Sequence, residues 1–188
     1  MDNRSRILSR ALELFALYGY DAVGVQRIVE AAHVTKPTLY HYFGSKKGLL
    51  NALLETYFSE LFQTVEDAAV YDRDLTLSLN KMTTAYFNFS KQNPVFYRMQ
   101  ISMWFAPSHS EAFKTVSGFY ERQQNLLENL FIEAAKQHGN MQGRHQAYAA
   151  TFLGMINTYI VLSLTGDIEL DQQLVYKAVH QFMHGIFS

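Results

Sequence analysis

Apolar residues recur at spacings of three and four along nearly the whole chain, and no alternating strand pattern persists. The first run predicts a helix from about Arg4 to Tyr18, with Ile7, Ala11, Leu14, Phe15 and Tyr18 on one face and Gly19 as its stop. Two short patterns follow, Val25 to Ala32 and Lys36 to Phe43. Ser45 then caps a long fourth helix carrying Leu49, Leu50, Leu53, Leu54, Tyr57, Phe58, Leu61, Phe62 and Val65. A stripe at Leu75, Leu79, Met82, Tyr86 and Phe89 is broken by Asn93-Pro94, and a short piece runs on to about Phe105. After Ala106-Pro107-Ser108 a long helix from about Ser110 to Gln137 stops at Gly139. The last two run from about Arg144 to Leu164 and from about Leu170 to Phe187. Nine helices with short connections predict an all-α protein.

The segment from Val25 to Lys46 joins two short helices by a tight turn and ends in aromatic and basic residues, the pattern of a helix-turn-helix whose second helix enters a DNA major groove. Placing Leu39 and Phe43 inward on that second helix fixes its other side, at about 100° per residue. Pro37 and His41 then point outward, Thr38 and Tyr40 flank them, and Lys36 and Tyr42 lie near the boundary. Hydroxyls and an imidazole suit base edges or phosphates, and apolar carbon suits thymine methyls. Thr35 is a good N-cap, and Pro37 sits in the first turn, where its missing N–H costs little. Lys46 and Lys47 follow the Ser45 cap at the positive end of the fourth helix, a placement that a bound phosphate would favour.

Charge supports the same division. Through Lys47 there are seven Lys/Arg against four acids, and the remainder has nine against thirteen, within a total of −1. A basic head on an acidic body fits a phosphate-binding module fused to a domain of other purpose. The expected boundaries are 1–46 for the DNA-binding head and 47–188 for a six-helix body. Cysteine is absent, which excludes disulfides and thiolate metal sites and suits a reducing cytoplasm. The N-terminus lacks the apolar core of a signal peptide. From His145 to Gly166 no Asp, Glu, Lys or Arg occurs, long enough to cross a bilayer, yet Gln146, Asn157 and several Thr and Ser favour a helix buried on several sides.

Residues from about Arg4 to Phe58 resemble the DNA-binding domain of the tetracycline-repressor (TetR) family. The resemblance rests on Ala11-Leu12-Glu13-Leu14-Phe15, Gly19-Tyr20, Ile28, Ala31-Ala32, Val34 through Phe43 and Lys46-Lys47-Gly48-Leu49. It implies operator contacts from Gln26, Lys36, Thr38, Tyr40, His41, Tyr42 and Lys46, with Thr35 and Pro37 grouped beside them. It further implies a homodimer on near-palindromic double-stranded DNA, more often a repressor than an activator, released by a small-molecule effector. Two positions depart from the family's habit: Gly24 stands where Thr or Ser often caps the second helix, and His33 where Gly commonly makes the turn.

In the body, the charge-free helix and the last one are read as the dimer interface, a four-helix bundle across a two-fold axis. Its residues are Ala150, Gly154, Val161, Val175, Val179, Phe182 and Met183, with Leu174, Ala178 and Ile186 on the same final helix. Small residues such as Ala150 and Gly154 let a second helix approach closely. Aromatics crowd the middle helices, where members of the family often hold their ligand. Phe89, Met99, Trp104 and Tyr120, with Asn157 as a polar point, are the candidate pocket for a largely apolar molecule. His180 and His184 are four apart, but no third ligand is near them in sequence, so no metal is expected. No phosphate-binding loop, dinucleotide fingerprint or hydrolase elbow occurs, so neither an enzyme nor a cofactor is expected. The rival to a ligand-released regulator is a DNA-bound regulator whose body recruits a protein and senses no small molecule.

Overall fold

The computed structural model describes residues 2–185, apart from the side chain of Asn140. Among the described residues the elements are α1 (Asn3–Tyr18), α2 (Val25–Ala31), α3 (Lys36–Phe43), α4 (Lys46–Ala68), α5 (Leu75–Gln92), α6 (Pro94–Trp104), α7 (Glu111–Ala135), α8 (His145–Thr165) and α9 (Gln172–His184), with a short 3₁₀ turn at Gly139–Met141. The predicted continuation of α9 to Phe187, with Ile186 on its apolar face, lies outside the described residues.

The starts of these helices are written in local chemistry. Asp2 Oδ1 accepts from the Ser5 N–H at 2.7 Å, Ser45 Oγ from Gly48 at 2.9 Å, Asp74 Oδ1 from Leu77 at 2.8 Å and Asp171 Oδ1 from Leu174 at 2.7 Å. Each satisfies one of the amides that a helix N-terminus leaves open. Pro94 stands in the first turn of α6, where a missing N–H is tolerated.

The helices gather into two compact units, residues 1–59 with 93–119, and residues 60–92 with 120–188. The division does not fall between 46 and 47. The Leu49–Phe58 part of α4 belongs with the head, and α6 packs against α1, so the head's core recruits residues from well beyond the DNA-reading segment. In this first unit Ile7, Phe15, Ile28, Leu39, Leu50 and Leu54 are buried. Phe58 stacks on Phe119 with ring centroids 4.5 Å apart and meets Phe96 edge-on at 5.4 Å. Leu12 is buried on α1, while Tyr18, expected on the inner face, is 46% exposed. Its ring carries the Arg27 guanidinium, 3.7 Å from the centroid, which keeps it useful at the surface.

In the second unit α5 packs against α8 and α9. Leu79, Met82, Tyr86, Leu127, Phe131, Phe152, Ile156, Val175 and Val179 are buried. Phe182 reaches the rings of Phe131 and Phe152, at centroid distances of 6.0 and 5.1 Å. Lys91 Nζ donates to the Leu170 carbonyl at 3.0 Å and so ties the end of α5 to the segment before α9.

Candidate nucleic-acid interface

The turn between α2 and α3 is closed by backbone. The Ala32 N–H donates to Ile28 O at 2.9 Å, His33 to Glu30 O at 3.1 Å and Val34 to Val29 O at 3.0 Å. This places His33 at φ 50°, the left-handed region where glycine is at ease and other residues are strained. His33→Gly is therefore expected to keep the fold and to change stability by no more than about 1 kcal/mol, in the stabilising direction, as relief of strain offsets the freer unfolded chain. Thermal melting checks this, and a clear drop in Tm would contradict it. Gly24 caps α2 without a side-chain hydrogen bond, as its lack of a hydroxyl requires.

Thr35 Oγ1 accepts from the Thr38 N–H at 3.4 Å and sits 2.9 Å from the Thr38 hydroxyl. This cap begins α3, and Leu39 and Phe43 then anchor it inward, both buried. The expected outer face follows: Lys36, Pro37, Tyr40, His41 and Tyr42 are exposed and Thr38 is half-buried. His41 and Tyr42 rings meet edge-on at 5.3 Å. The Tyr40 and Tyr42 rings are 46% and 42% exposed, side by side with His41 on that face.

Two expected contacts are engaged elsewhere in the protein. The Gln26 side-chain amide donates to Glu30 on the same helix. Lys46 is half-buried, and its Nζ donates to the Tyr20 and Val23 carbonyls at 3.0 and 3.1 Å, 4.0 Å above the centre of the Tyr20 ring. Two of its three N–H bonds thus brace the loop between α1 and α2. The Tyr20 hydroxyl in turn donates to the Glu111 carboxylate at the start of α7. Burial, and then the bond to Glu111, push the Tyr20 phenol well above its ordinary pKa. Lys47, by contrast, is exposed. Arg27 on α2, exposed beside Tyr18, is a basic group that the sequence pattern did not single out.

The residues proposed for the body separate. Met99 and Trp104 lie on α6 in the first unit, whereas Phe89, Tyr120 and Asn157 lie in the second. Phe89, Met99 and Tyr120 are buried, Asn157 is half-buried and Trp104 is 37% exposed. Two concavities in the second unit are lined by other residues. One of about 470 Å³ has Leu75, Phe131, Met141, Tyr148, Phe182 and Met183 on its walls, with Arg73, Asp74, Thr76 and His138. The other, about 640 Å³, runs along α8 and α9 past Thr151, Met155, Thr158, Tyr159 and Gln181. Of the residues read as a dimer surface, Ala150, Gly154, Val161 and Met183 are exposed and Phe182 is half-buried. Val175 and Val179 are 3% and 1% exposed, buried within their own unit, where α9 packs on α5.

The model of the bacterial regulatory proteins of the tetR family matches residues 7–53, the span that holds α2, the turn and α3. Over those residues the chain carries the DNA-binding head of the tetR family. Over 98 residues it is 33% identical to the HTH-type transcriptional activator FasR of Mycolicibacterium smegmatis, a match covering 52% of this chain and 45% of FasR. The chain thus spans less than half the length of that relative. With the HTH-type transcriptional regulator BetI of Pseudomonas paraeruginosa it is 25% identical over 166 residues, 87% of this chain and 83% of BetI. The all-α TetR fold extends over the whole length: the transcriptional regulator FadR of Bacillus subtilis, solved in complex with stearoyl-CoA, superposes with a TM-score of 0.79 at 19% identity, covering 97% of this chain and 98% of FadR.

Proposed function

We propose that the chain is a cytoplasmic transcriptional regulator: a homodimeric repressor that reads a near-palindromic operator through α3 and is released by a small, largely apolar effector. The observation that carries the dimer is the surface of α8. This helix, His145–Thr165, has a mean hydropathy of 1.4 over its most apolar window, yet only 28% of that window is buried. Ala150, Gly154, Val161 and Leu162 are exposed on it, and Tyr176 and Met183 on α9 are 64% and 38% exposed. So much apolar surface exposed on one charge-free helix and its neighbour favours a partner. A second copy related by a two-fold axis covers the strip with itself, and sets two α3 helices on successive major grooves, about 34 Å apart. By length and composition α8 also suffices to cross a membrane. Its Gln146, Thr151, Asn157 and Thr158, and the lack of a flanking basic cluster, favour the dimer.

Sedimentation equilibrium of the wild type and of Val161→Glu tests this. We expect a dimer that becomes a folded monomer on substitution; a wild-type monomer at micromolar concentration would remove the reading. Selection from a randomised duplex library then tests the DNA half, with an inverted repeat of half-sites about one turn apart as the expected product. Tyr40→Ala and Thr38→Ala should each relax sequence preference, at a loss of about 1–3 kcal/mol on the selected operator and much less on random duplex. Equal losses on both duplexes would assign these side chains to the phosphate backbone.

The FadR complex with stearoyl-CoA supports an effector with an apolar chain. The helix α4 runs unbroken from Lys46 to Ala68, so a displacement anywhere along it is not absorbed by a flexible linker. Release requires that the effector bind one arrangement of the two recognition helices better than the other. FasR is an activator by name, and a reporter assay in the presence and absence of the regulator gives the sign for this chain. The second reading, recruitment of a partner protein, is favoured by Phe105, 80% exposed beside Trp104. Loss of regulation in Phe105→Ser with operator binding intact would support it.

A further inference from the structure

We propose that the Tyr86 hydroxyl and the Gln123 side-chain amide form the polar end of the effector site in the second unit, and that the group they hold is an uncharged acceptor oxygen, the carbonyl of an ester, thioester, amide or ketone. The proposal rests on the reading above that a small apolar effector binds this protein. Tyr86 on α5 is fully buried and Gln123 on α7 is 3% exposed. Neither Tyr86 Oη nor Gln123 Nε2 has a hydrogen-bond partner among the described residues. Buried polar atoms are nearly always paired, so two orphans in one core require a cause.

The two belong to one neighbourhood. Tyr86 lies close enough to Tyr120 for its charge to push the Tyr120 phenol further up, beyond the larger effect of burial. Gln123 follows Tyr120 by three residues, on the same face of α7. Three nearby hydroxyls donate within their own helix: Thr83 Oγ1 to Leu79 O at 2.8 Å, Ser90 Oγ to Phe87 O at 2.9 Å and Ser78 Oγ to Asp74 O at 3.1 Å.

The chemistry of the orphans selects the ligand. A phenol O–H and an amide N–H both donate, and an acceptor oxygen satisfies both. Charge on that oxygen is disfavoured. The buried polar residues of this unit are Ser78, Thr83, Ser90 and Gln123, with no Lys or Arg among them. A carboxylate there would be desolvated without a counter-charge. The same desolvation holds the Tyr86 phenol neutral far above its ordinary pKa. Met82 and Phe89, one turn to either side of Tyr86 on α5, supply apolar walls for the rest of the molecule. Neither concavity described above is lined by Tyr86 or Gln123, and Met82 is a flexible thioether that yields readily to an entering chain. A core that closes over two unpaired donors is less stable than one that holds an acceptor, and this difference lets the ligand shift the protein's conformation.

The test uses the full chain, titrated calorimetrically and in operator competition with ethyl decanoate, its ether analogue decyl ethyl ether, and decanoate. The ester is expected to bind about tenfold tighter than either analogue and to release operator DNA. Tyr86→Phe and Gln123→Met should each weaken ester binding about three- to tenfold, leave the ether unchanged, and leave the Tm of the free protein equal or higher. Equal binding of ester and ether, or ester binding untouched by both variants, would overturn the proposal. So would a Tyr86→Phe protein that melts lower and binds the ester as before, since the hydroxyl would then serve the core alone. Decanoate binding tightest and releasing DNA would sink this assignment while sparing the ligand-released reading. If none of the three probes binds the wild type or releases operator, both fall.

Discussion

Lys46→Ala is expected to lower the melting temperature by about 5–10 °C, which corresponds to about 2–3 kcal/mol for a chain of this size. The side chain is half-buried, and its ammonium donates to the Tyr20 and Val23 carbonyls while resting on the Tyr20 ring. Removing it takes the lysine donor from both carbonyls, leaves the Tyr20 carbonyl only the Val23 N–H at 3.3 Å, and strips a buried aromatic face of its cation. The Tyr20 loop links α1 to α2, and the hydroxyl of the same residue holds Glu111, so the loss spreads through the first unit. Lys47→Ala makes the contrast. That side chain is exposed at the N-terminus of α4, and its removal should leave the melting temperature unchanged while lowering the salt slope of operator binding by about one unit. The two roles for Lys46 have opposite signatures. A brace shifts Tm and spares the slope; a phosphate contact lowers the slope and spares Tm. Melting curves and salt titrations on both variants separate them, and an unchanged Tm for Lys46→Ala would return that lysine to the phosphate backbone.

The contrast shows where sequence reading ends. The outward face of α3 was legible because two inward residues, Leu39 and Phe43, determine the orientation of every other side chain on so short a helix. The turn was legible too: His33 stands where the chain reverses, and its left-handed conformation is what the family's glycine at that position implies. Lys46 was not legible in this way, because its partners are backbone carbonyls 26 and 23 residues away that no side-chain pattern announces. Nor was the Tyr20–Glu111 bond, which spans 91 residues. On α9 the limitation is different. Apolar residues occupy more than one face, and periodicity does not distinguish the face that meets α5 from one left for a partner. Val175 and Val179 are on the first, while Met183 is 38% exposed. The packing of α6 on α1 was hidden for a related reason: α6 follows a long excursion through α5 before it returns, a long-range contact without local signal.

Gly48→Ala is expected to destabilise the protein by about 1–3 kcal/mol and to weaken operator binding more than tenfold, although glycine to alanine within a helix ordinarily stabilises by up to about 1 kcal/mol. Gly48 lies in the first turn of α4, and a Cβ there would stand 1.9 Å from the Phe43 carbonyl oxygen and 3.1 Å from its carbon. The obstacle is main chain, so no rotamer change relieves it. Phe43 closes α3, and its carbonyl also accepts from the Ser45 N–H at 2.8 Å, which fixes the corner between the two helices. An alanine must therefore push the end of the recognition helix away from the start of α4, and the face bearing Tyr40 and His41 moves with it. Gly118→Ala serves as the control: Gly118 is also helical, a Cβ there would meet nothing within 4 Å, and the variant should melt at the same temperature or higher. Thermal melts of the two variants, with operator titrations at one salt concentration, give the comparison. If both variants gain stability and bind DNA like the wild type, the close approach of α3 and α4 does not determine how the recognition helix is presented.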